Sequence, residues 1–359
     1  MNNDRRTERE DEPRPEADIP ALEPEPPPAR PIAQTQALVR RLGVLRFEEM
    51  WALLALILLC AGLGIAKPAF LSYDNTQIVL RQISFNAIIA VGMTFVIATA
   101  GIDLSVGSVL ALSGCVGAMC MTWGVNTWLS VGIGLGMGAF CGLVNGLVVS
   151  LTRVPPFVQT LGMMYAARYV AMLLTGAREV AGLPDEYDVL GQGVLPLGLP
   201  GAGRSIEVPL PVLIMLGVAV VGALVLAYTR FGRYCVAIGS NEEAVRLSGV
   251  RVRRYKLAVY VITGSLAALS GTVLFSRLGA APPMEGMMYE LNAIAACVIG
   301  GASLMGGQGT VLGTIIGAMI IGVLPNGLVH LGVSQYWQPV VVGVVIVLAV
   351  LLDTWRRGE

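Results

Sequence analysis

Long apolar runs alternate with short polar breaks through most of this chain. The runs lie near 48–66, 83–100, 104–123, 128–151, 157–175, 209–229, 257–275, 291–305, 311–331 and 337–353. A helix rises about 1.5 Å per residue and a bilayer core is about 30 Å thick, so roughly 20 apolar residues make one crossing and ~17 suffice. The pattern predicts an all-α membrane protein, a polytopic bundle of about ten transmembrane helices. Several runs are short or interrupted by glycine, so charge is the second test of the count. Basic loop residues stay in the cytoplasm. With the N-terminus inside, ten crossings keep Arg40, Arg41, Arg46, Arg153, the loop 230–256, Arg356 and Arg357 on that side. Lys67, Arg81, Arg178, Arg204 and Arg277 fall outside. Nine or eleven crossings would misplace a basic cluster, so both termini are expected on the cytoplasmic side of a plasma (inner) membrane.

Composition agrees. Hydrophobic residues make up 55% of the chain, charged residues 13%, and mean hydropathy is +0.71, whereas soluble domains carry about 25% charged residues. Zero net charge gives no reason to expect nucleic acid. Residues 1–45 stand apart: rich in Pro, Glu, Asp and Arg, they cannot bury enough surface to order, and they read as a disordered cytoplasmic tail. They lack the layout of a signal peptide. Residues 46–359 then form one membrane domain. Cys60, Cys115, Cys120, Cys141, Cys235 and Cys297 are scattered, mostly within apolar runs, and read as small buried hydrophobes, not as a disulfide framework or a zinc site. Among 44 glycines, Gly132, Gly134, Gly136, Gly138 and Gly142 share one run, and Gly313, Gly317 and Gly322 another. Small residues at such spacing let helix backbones approach closely in lipid.

One basic island, Arg230 to Lys256, separates two apolar runs. Seven of its residues are Lys or Arg, against Glu242 and Glu243 alone. Its middle predicts a short helix that Ser240 or Asn241 can cap, that Glu242 and Glu243 favour at its positive end, and that Gly249 can terminate. A capped helix on the cytoplasmic face is something a soluble partner can push.

Two polar segments break the apolar pattern. GIDLSVG, Gly101 to Gly107, contains Asp103, the one acidic residue between Asp74 and Glu179. Asp103 is expected either to cap the helix that begins at Leu104 or to line or gate a pathway, the two uses of a carboxylate near lipid depth. GGASLMGGQGTVLG, Gly300 to Gly313, resembles a phosphate loop only superficially. It lacks the Gly-Lys-Ser/Thr ending and no strand precedes it, so it reads as a helix break inside the bundle.

These segments carry a resemblance. GIDLSVGSVLALSG at 101–114, TLGMMYAARYVAMLLTGAREV at 160–180, AIGSNEEAVRLSGVRVRRYK at 237–256 and the stretch 299–350 resemble, in order, the ribose-type sugar permeases of ABC importers. The similarity runs from about residue 70 to the end. It implies the fold of the vitamin B12 permeases, with ten helices and an inverted repeat of helices two to five and seven to ten. It implies a second permease copy, a homodimer partner around the pathway. It further implies a cytoplasmic ATPase with two nucleotide-binding domains and an extracytoplasmic sugar-binding protein, with membrane lipid as the surroundings. ATP and Mg would sit on the ATPase, and no cofactor is expected in this chain. Ser240, Asn241, Glu242, Glu243, Ala244, Arg246 and Gly249 match the segment that couples to the ATPase. Asp103, Ser105 and Gly107 match the signature after the second helix, Arg168 a recurrent arginine of the fifth, and Asn326 with Gly327 a late Asn-Gly pair. Arg168 is expected to snorkel or to form a structural pair, with substrate contact as the other use. With no nucleophile–base pair or metal cluster in the residue content, the chain reads as a transport subunit and not an enzyme. Alternatives are a permease for a nucleoside or branched-chain amino acid, or an ion-coupled secondary transporter, which would need intramembrane carboxylates.

The orientation is tested with single cysteines and a thiol reagent that cannot cross the membrane. In sealed cells, sites at 185–205 and 280–288 should label, and sites at 240–250 should not. Labelling of 240–250 from outside would reverse the topology.

Overall fold

A computed structural model describes residues 47–198 and 205–357; the expected tail 1–45, with Arg40, Arg41 and Arg46, lies outside them, as does Arg204. Each apolar run carries a helix: α1 (Phe47–Ala66), α2 (Tyr73–Ala98), α3 (Val106–Thr122), α4 (Thr127–Leu151), α5 (Pro156–Thr175), α7 (Leu210–Tyr228), α10 (Val252–Leu278), α11 (Tyr289–Ile299), α12 (Val311–His330) and α13 (Gln338–Arg357). Between α5 and α7 lies the short helix α6 (Asp185–Gln192), and between α7 and α10 lie α8 (Arg230–Ser240) and α9 (Glu242–Leu247). The chain is a polytopic helical membrane protein. Among the described residues, seven helices, α1, α2, α4, α5, α7, α10 and α12, are long and apolar enough to cross a membrane, while α3 and α11 are shorter apolar helices.

Two boundaries differ from the sequence pattern. The second run begins ten residues early, at Tyr73, because Ser72 caps the helix by accepting the Asn75 N–H at 3.3 Å. Arg81 is therefore inside α2, and Arg277, inside α10, lays its guanidinium over Phe85, 5.6 Å from the ring centroid. Likewise α10 starts at Val252, so the end of the basic island is its first turn. A third difference is a departure from all-α. Strands β1 (Val194–Gly198) and β2 (Ser205–Pro209) pair antiparallel, with Leu195 opposite Val208 and Leu197 opposite Ile206. These runs are far too short to span, and Leu, Ile and Val at alternate positions beside a Gly- and Pro-rich sequence favour a hairpin.

Large apolar side chains cover the outside. Leu58 and Ile65 on α1, Phe140 and Leu151 on α4, Leu173 on α5 and Val221 on α7 are all more than half exposed. A soluble protein rarely tolerates such continuous apolar surface; in lipid it is the proper surface. The centre is made of α2, α10 and α12, whose best spanning windows are 72%, 61% and 67% buried.

Glycine sets the spacing of the helices. A Cβ on Gly142 would strike the Tyr260 carbonyl, one on Gly264 the Gly138 carbonyl, and one on Gly138 would lie 2.5 Å from the Gly264 oxygen. Here α4 and α10 touch backbone to backbone. On the other side, Gly313 and Gly317 of α12 pack onto Gly300 and Ala296 in the same way. Gly132 and Gly136 face open space instead, so only part of the glycine run on α4 serves packing.

Polar clamps fix the register. Thr94 and Thr314 share a hydrogen bond of 2.8 Å between α2 and α12. At the opposite ends of the same helices, Asn75 and Asn326 exchange amide hydrogen bonds at 3.0 and 2.9 Å. Asn326 thus has a structural job. The short helix α6 is strapped to α10: Tyr187 Oη donates to the Thr272 carbonyl at 2.7 Å, and Ser276 Oγ donates to Tyr187 O and accepts from Gly191 N–H at 2.7 Å.

Gly142→Leu should force α4 from α10 and lower stability by about 1–3 kcal/mol or more, as overpacking does. Gly132→Leu should leave it unchanged. Thermal unfolding of the detergent-purified protein measures both, and equal midpoints would refute backbone contact as the packing device.

Candidate functional site

The basic island folds as three pieces. Thr229 caps α8, its hydroxyl oxygen accepting the Gly232 N–H at 3.2 Å. This helix buries Gly232, Cys235 and Ile238 and exposes Arg230 and Arg233. A cleft of about 390 Å³ lies beside them, lined by Arg230, Arg233, Tyr234 and Ala237. Tyr234 and Phe231 pack on Tyr255 at the start of α10.

Of the two capping candidates for α9, Asn241 is the cap. Its Oδ1 accepts the Ala244 N–H at 2.9 Å, whereas Ser240 ends α8 and donates its hydroxyl to the Val236 carbonyl. Gly249 follows the helix at φ +80° and donates its N–H to the Arg246 carbonyl at 3.0 Å, a left-handed terminus that suits glycine. Glu242 holds the short helix to the bundle: Arg246 lies 2.7 Å away and Lys256, from α10, 2.5 Å. Partial burial pushes the Glu242 carboxyl up, but hydrogen bonds and charge from Lys256 and then Arg246 outweigh this and hold it below the ordinary carboxylate range. Because the shift is downward, the clamp is complete above that range and is lost only as pH falls through the lowered value. Glu243, Ala244, Arg246 and Leu247 face outward, Leu247 at 81% exposure.

The segment 99–105 places Asp103 differently from the helix cap expected of it. Helix α3 begins at Val106, and Asp103 Oδ1 accepts both the Ser105 N–H at 2.9 Å and the Ser105 hydroxyl at 2.6 Å. A local turn forms before the helix and takes the carboxylate out of capping position. Ser105 Oγ then accepts from Asn145 Nδ2 at 2.9 Å, and Asn145 Oδ1 from Gln159 Nε2 at 3.3 Å. Asp103, Ser105 and Asn145 are each 1% exposed. Thr160 adds a hydroxyl hydrogen bond to the Ile102 carbonyl at 3.2 Å. The segment is therefore tied to α4 and α5. Sequence reading had missed Asn145, Gln159 and Thr160; polar residues inside apolar runs were the available signal.

Gly107 admits no side chain. A Cβ there would meet the Gly286 carbonyl and lie 2.5 Å from Glu290 Oε2. Arg168 does not snorkel. Its Nη1 donates to the Pro283 carbonyl at 2.8 Å and the Glu285 carbonyl at 2.5 Å, so it is the structural tie between α5 and the loop 279–288. The glycine-rich break bends as expected: Gly301, Gly306, Gly307 and Gly309 have positive φ, and Thr310 caps α12 while donating to Glu49 of α1. Asp103 and Asn326 thus belong to different hydrogen-bond clusters.

Asp103→Asn keeps one oxygen for both Ser105 donors and should be nearly neutral. Asp103→Ala leaves a buried N–H unpaired and should cost about 1–3 kcal/mol. Melting of the two variants in detergent separates these outcomes, and an alanine variant as stable as the parent would remove the role given to this turn.

Comparison with known proteins places the chain. The family described as branched-chain amino acid transport system, permease component, matches residues 75–350. The ribose import permease protein of Escherichia coli strain K12 is 46% identical over 310 residues, covering 86% of this chain and 94% of that protein. The ribose import permease protein of Bacillus subtilis strain 168 is 42% identical over 306 residues, 85% and 92% of the two chains. The xylose transport system permease protein of Escherichia coli strain K12 is 38% identical over 344 residues, 81% and 88% of the two. No solved structure matches. The chain belongs to this family of transport-system permease components, among its ribose-type ABC importers.

Proposed function

We propose that the chain forms the translocation pathway of an ATP-driven importer for a monosaccharide such as ribose or a related sugar. The observation that carries the reading is α9: a short helix capped by Asn241, ended at Gly249, clamped to α10 through Glu242 and Lys256, and bare on its outer side. The names of the relatives supply the sugar. Ten crossings in a vitamin B12-permease-like fold, with both termini cytoplasmic, put α8 and α9 on the inner face. There a cytoplasmic ATPase with two nucleotide-binding domains would grip them, carrying ATP and Mg. A second copy of the chain would complete the pathway, lipid would surround the pair, and an extracytoplasmic sugar-binding protein would deliver the solute.

Mechanistically, nucleotide binding needs only to favour one bundle conformation over the other. Closure of the ATPase displaces α9, and α9 transmits because its first turn is tied twice: to α8 by the short connection at Asn241 and to α10 by the Glu242–Lys256 pair. This chain performs no bond chemistry in that cycle. It holds the geometry that makes hydrolysis elsewhere change which side is open.

Gly249→Val strains a left-handed position by about 1–3 kcal/mol in open space, so the bundle should fold while α9 is misplaced. Glu242→Lys with Glu243→Lys should undo the clamp and reverse the local charge, more severely at low salt. Co-purification of the ATPase and solute-stimulated ATP hydrolysis in vesicles should both fall. Wild-type values for both variants would remove the coupling assignment, and uptake driven by a proton gradient without the ATPase would replace the importer with a secondary transporter.

A further inference from the structure

Coupling through α9 requires a route into the bundle, and the packing around Gly239 supplies one. Three segments meet there backbone to backbone. A Cβ on Gly239 would collide with the Ala98 carbonyl and lie 2.5 Å from the Gly307 nitrogen. One on Gly307 would collide with Ser240 Oγ and lie 3.0 Å from the Ser240 nitrogen and Cα, and one on Gly306 would lie 2.9 Å from the backbone of Ala100. The Gly307 N–H donates to the Ala98 carbonyl at 3.2 Å. Side chains in contact can yield by changing rotamer; bare backbones cannot. Both partner segments are breaks in long helices, and both hold left-handed conformations, at Ala100 (φ 57°), Gly306 (φ 88°) and Gly307 (φ 72°). A non-glycine residue at such a φ is uncommon and is held there by its surroundings.

We propose that Gly239 and Gly307 are positioning residues that join the end of α8 to residues 98–105 and 301–310 as one moving unit, so that displacement of α9 enters the bundle at the two helix breaks. From 98–105 the displacement passes to α4 and α5 through Asp103, Ser105, Asn145 and Gln159. From 301–310 it passes to α11 and α12, which those residues connect, and through Thr310 to Glu49 of α1. The rival arrangement is a hinge at Asn241, with α9 swinging free of α8. The inference rests on the importer reading.

The first test leaves the joint intact. In the assembled transporter, with Cys60 and Cys120 replaced by serine, spin labels at Arg233→Cys and Met305→Cys report the distance from α8 to the glycine-rich break. Both positions are exposed. That distance should stay constant between the nucleotide-free and ATP-bound states, while the distance from Met305→Cys to Val154→Cys, between α4 and α5, changes. An Arg233–Met305 distance that varies as much as the other overturns the joint. The second test breaks it. Gly239→Ala must part the three backbones; a shift of about an ångström in a working site costs on the order of 10²-fold, so sugar uptake per ATP hydrolysed should fall at least about tenfold with the ATPase still bound. Gly217→Ala, in open space on α7, is the matched control and should match the parent. Undiminished uptake per ATP in Gly239→Ala refutes the joint. Failure of the ATPase to bind the unmodified chain would instead remove the importer reading itself.

Discussion

Apolar side chains gain almost nothing by leaving lipid for one another, so this bundle depends on how closely its helix backbones can come. Gly138, Gly142 and Gly264 bring α4 against α10, and Gly300, Gly313 and Gly317 bring the end of α11 against α12. Dispersion between close backbones replaces the hydrophobic driving force of a soluble core. Orientation is then set by a few polar pairs. The Asn75–Asn326 exchange and the Thr94–Thr314 bond lie at opposite ends of α2 and α12 and fix their relative register.

The same contact serves two purposes in different places. Along α4 and α10, long regular helices meet and the result is a stiff frame. Near Gly239 and Gly307, the partners are irregular segments, and the result is a short path from the basic island to the interior. Around that path several polar groups are satisfied within the protein, Asp103 by Ser105, Ser105 by Asn145, and the loop at 279–288 by Arg168, while Tyr260 Oη and Glu290 Oε2 are buried without a hydrogen-bond partner. Irregular backbone at depth persists because protein, not lipid, surrounds it.

Much of this was legible in the residues. Apolar runs located each long helix because the length of a crossing is dictated from outside the protein. The basic island and its Gly249 terminus were legible because charge and positive φ are local demands. Of the two uses open to Asp103, a cap or a pathway group, the cap is not made: its choice between a turn and a helix start depends on Ser105, which in turn is held by Asn145, 40 residues further on. Arg168 was expected to snorkel or to form a structural pair, but the sequence could not name its partners, carbonyls of a loop more than a hundred residues away. The hairpin at β1 and β2 escaped because an all-α reading left nothing for short Val- and Leu-rich segments to do. Local rules found the elements, and distant partners decided what the polar residues hold.

Helices α3 and α11 have a consequence for how the protein is made. With 17 and 11 residues, they rise about 26 and 16 Å at 1.5 Å per residue, less than a bilayer core of about 30 Å. At 17 residues α3 sits at the lower limit for a crossing and α11 falls well short of it, and each adjoins irregular backbone at its broken end. Their insertion has to wait for a neighbour that supplies the missing length and hydrogen bonds, α2 and α4 for the first and α12 for the second. The order of synthesis suits α3, whose predecessor α2 is already in place. It does not suit α11, which emerges before the helix that completes it. The last quarter of the chain therefore settles in the bilayer as a pair, α11 together with α12, and not one helix at a time.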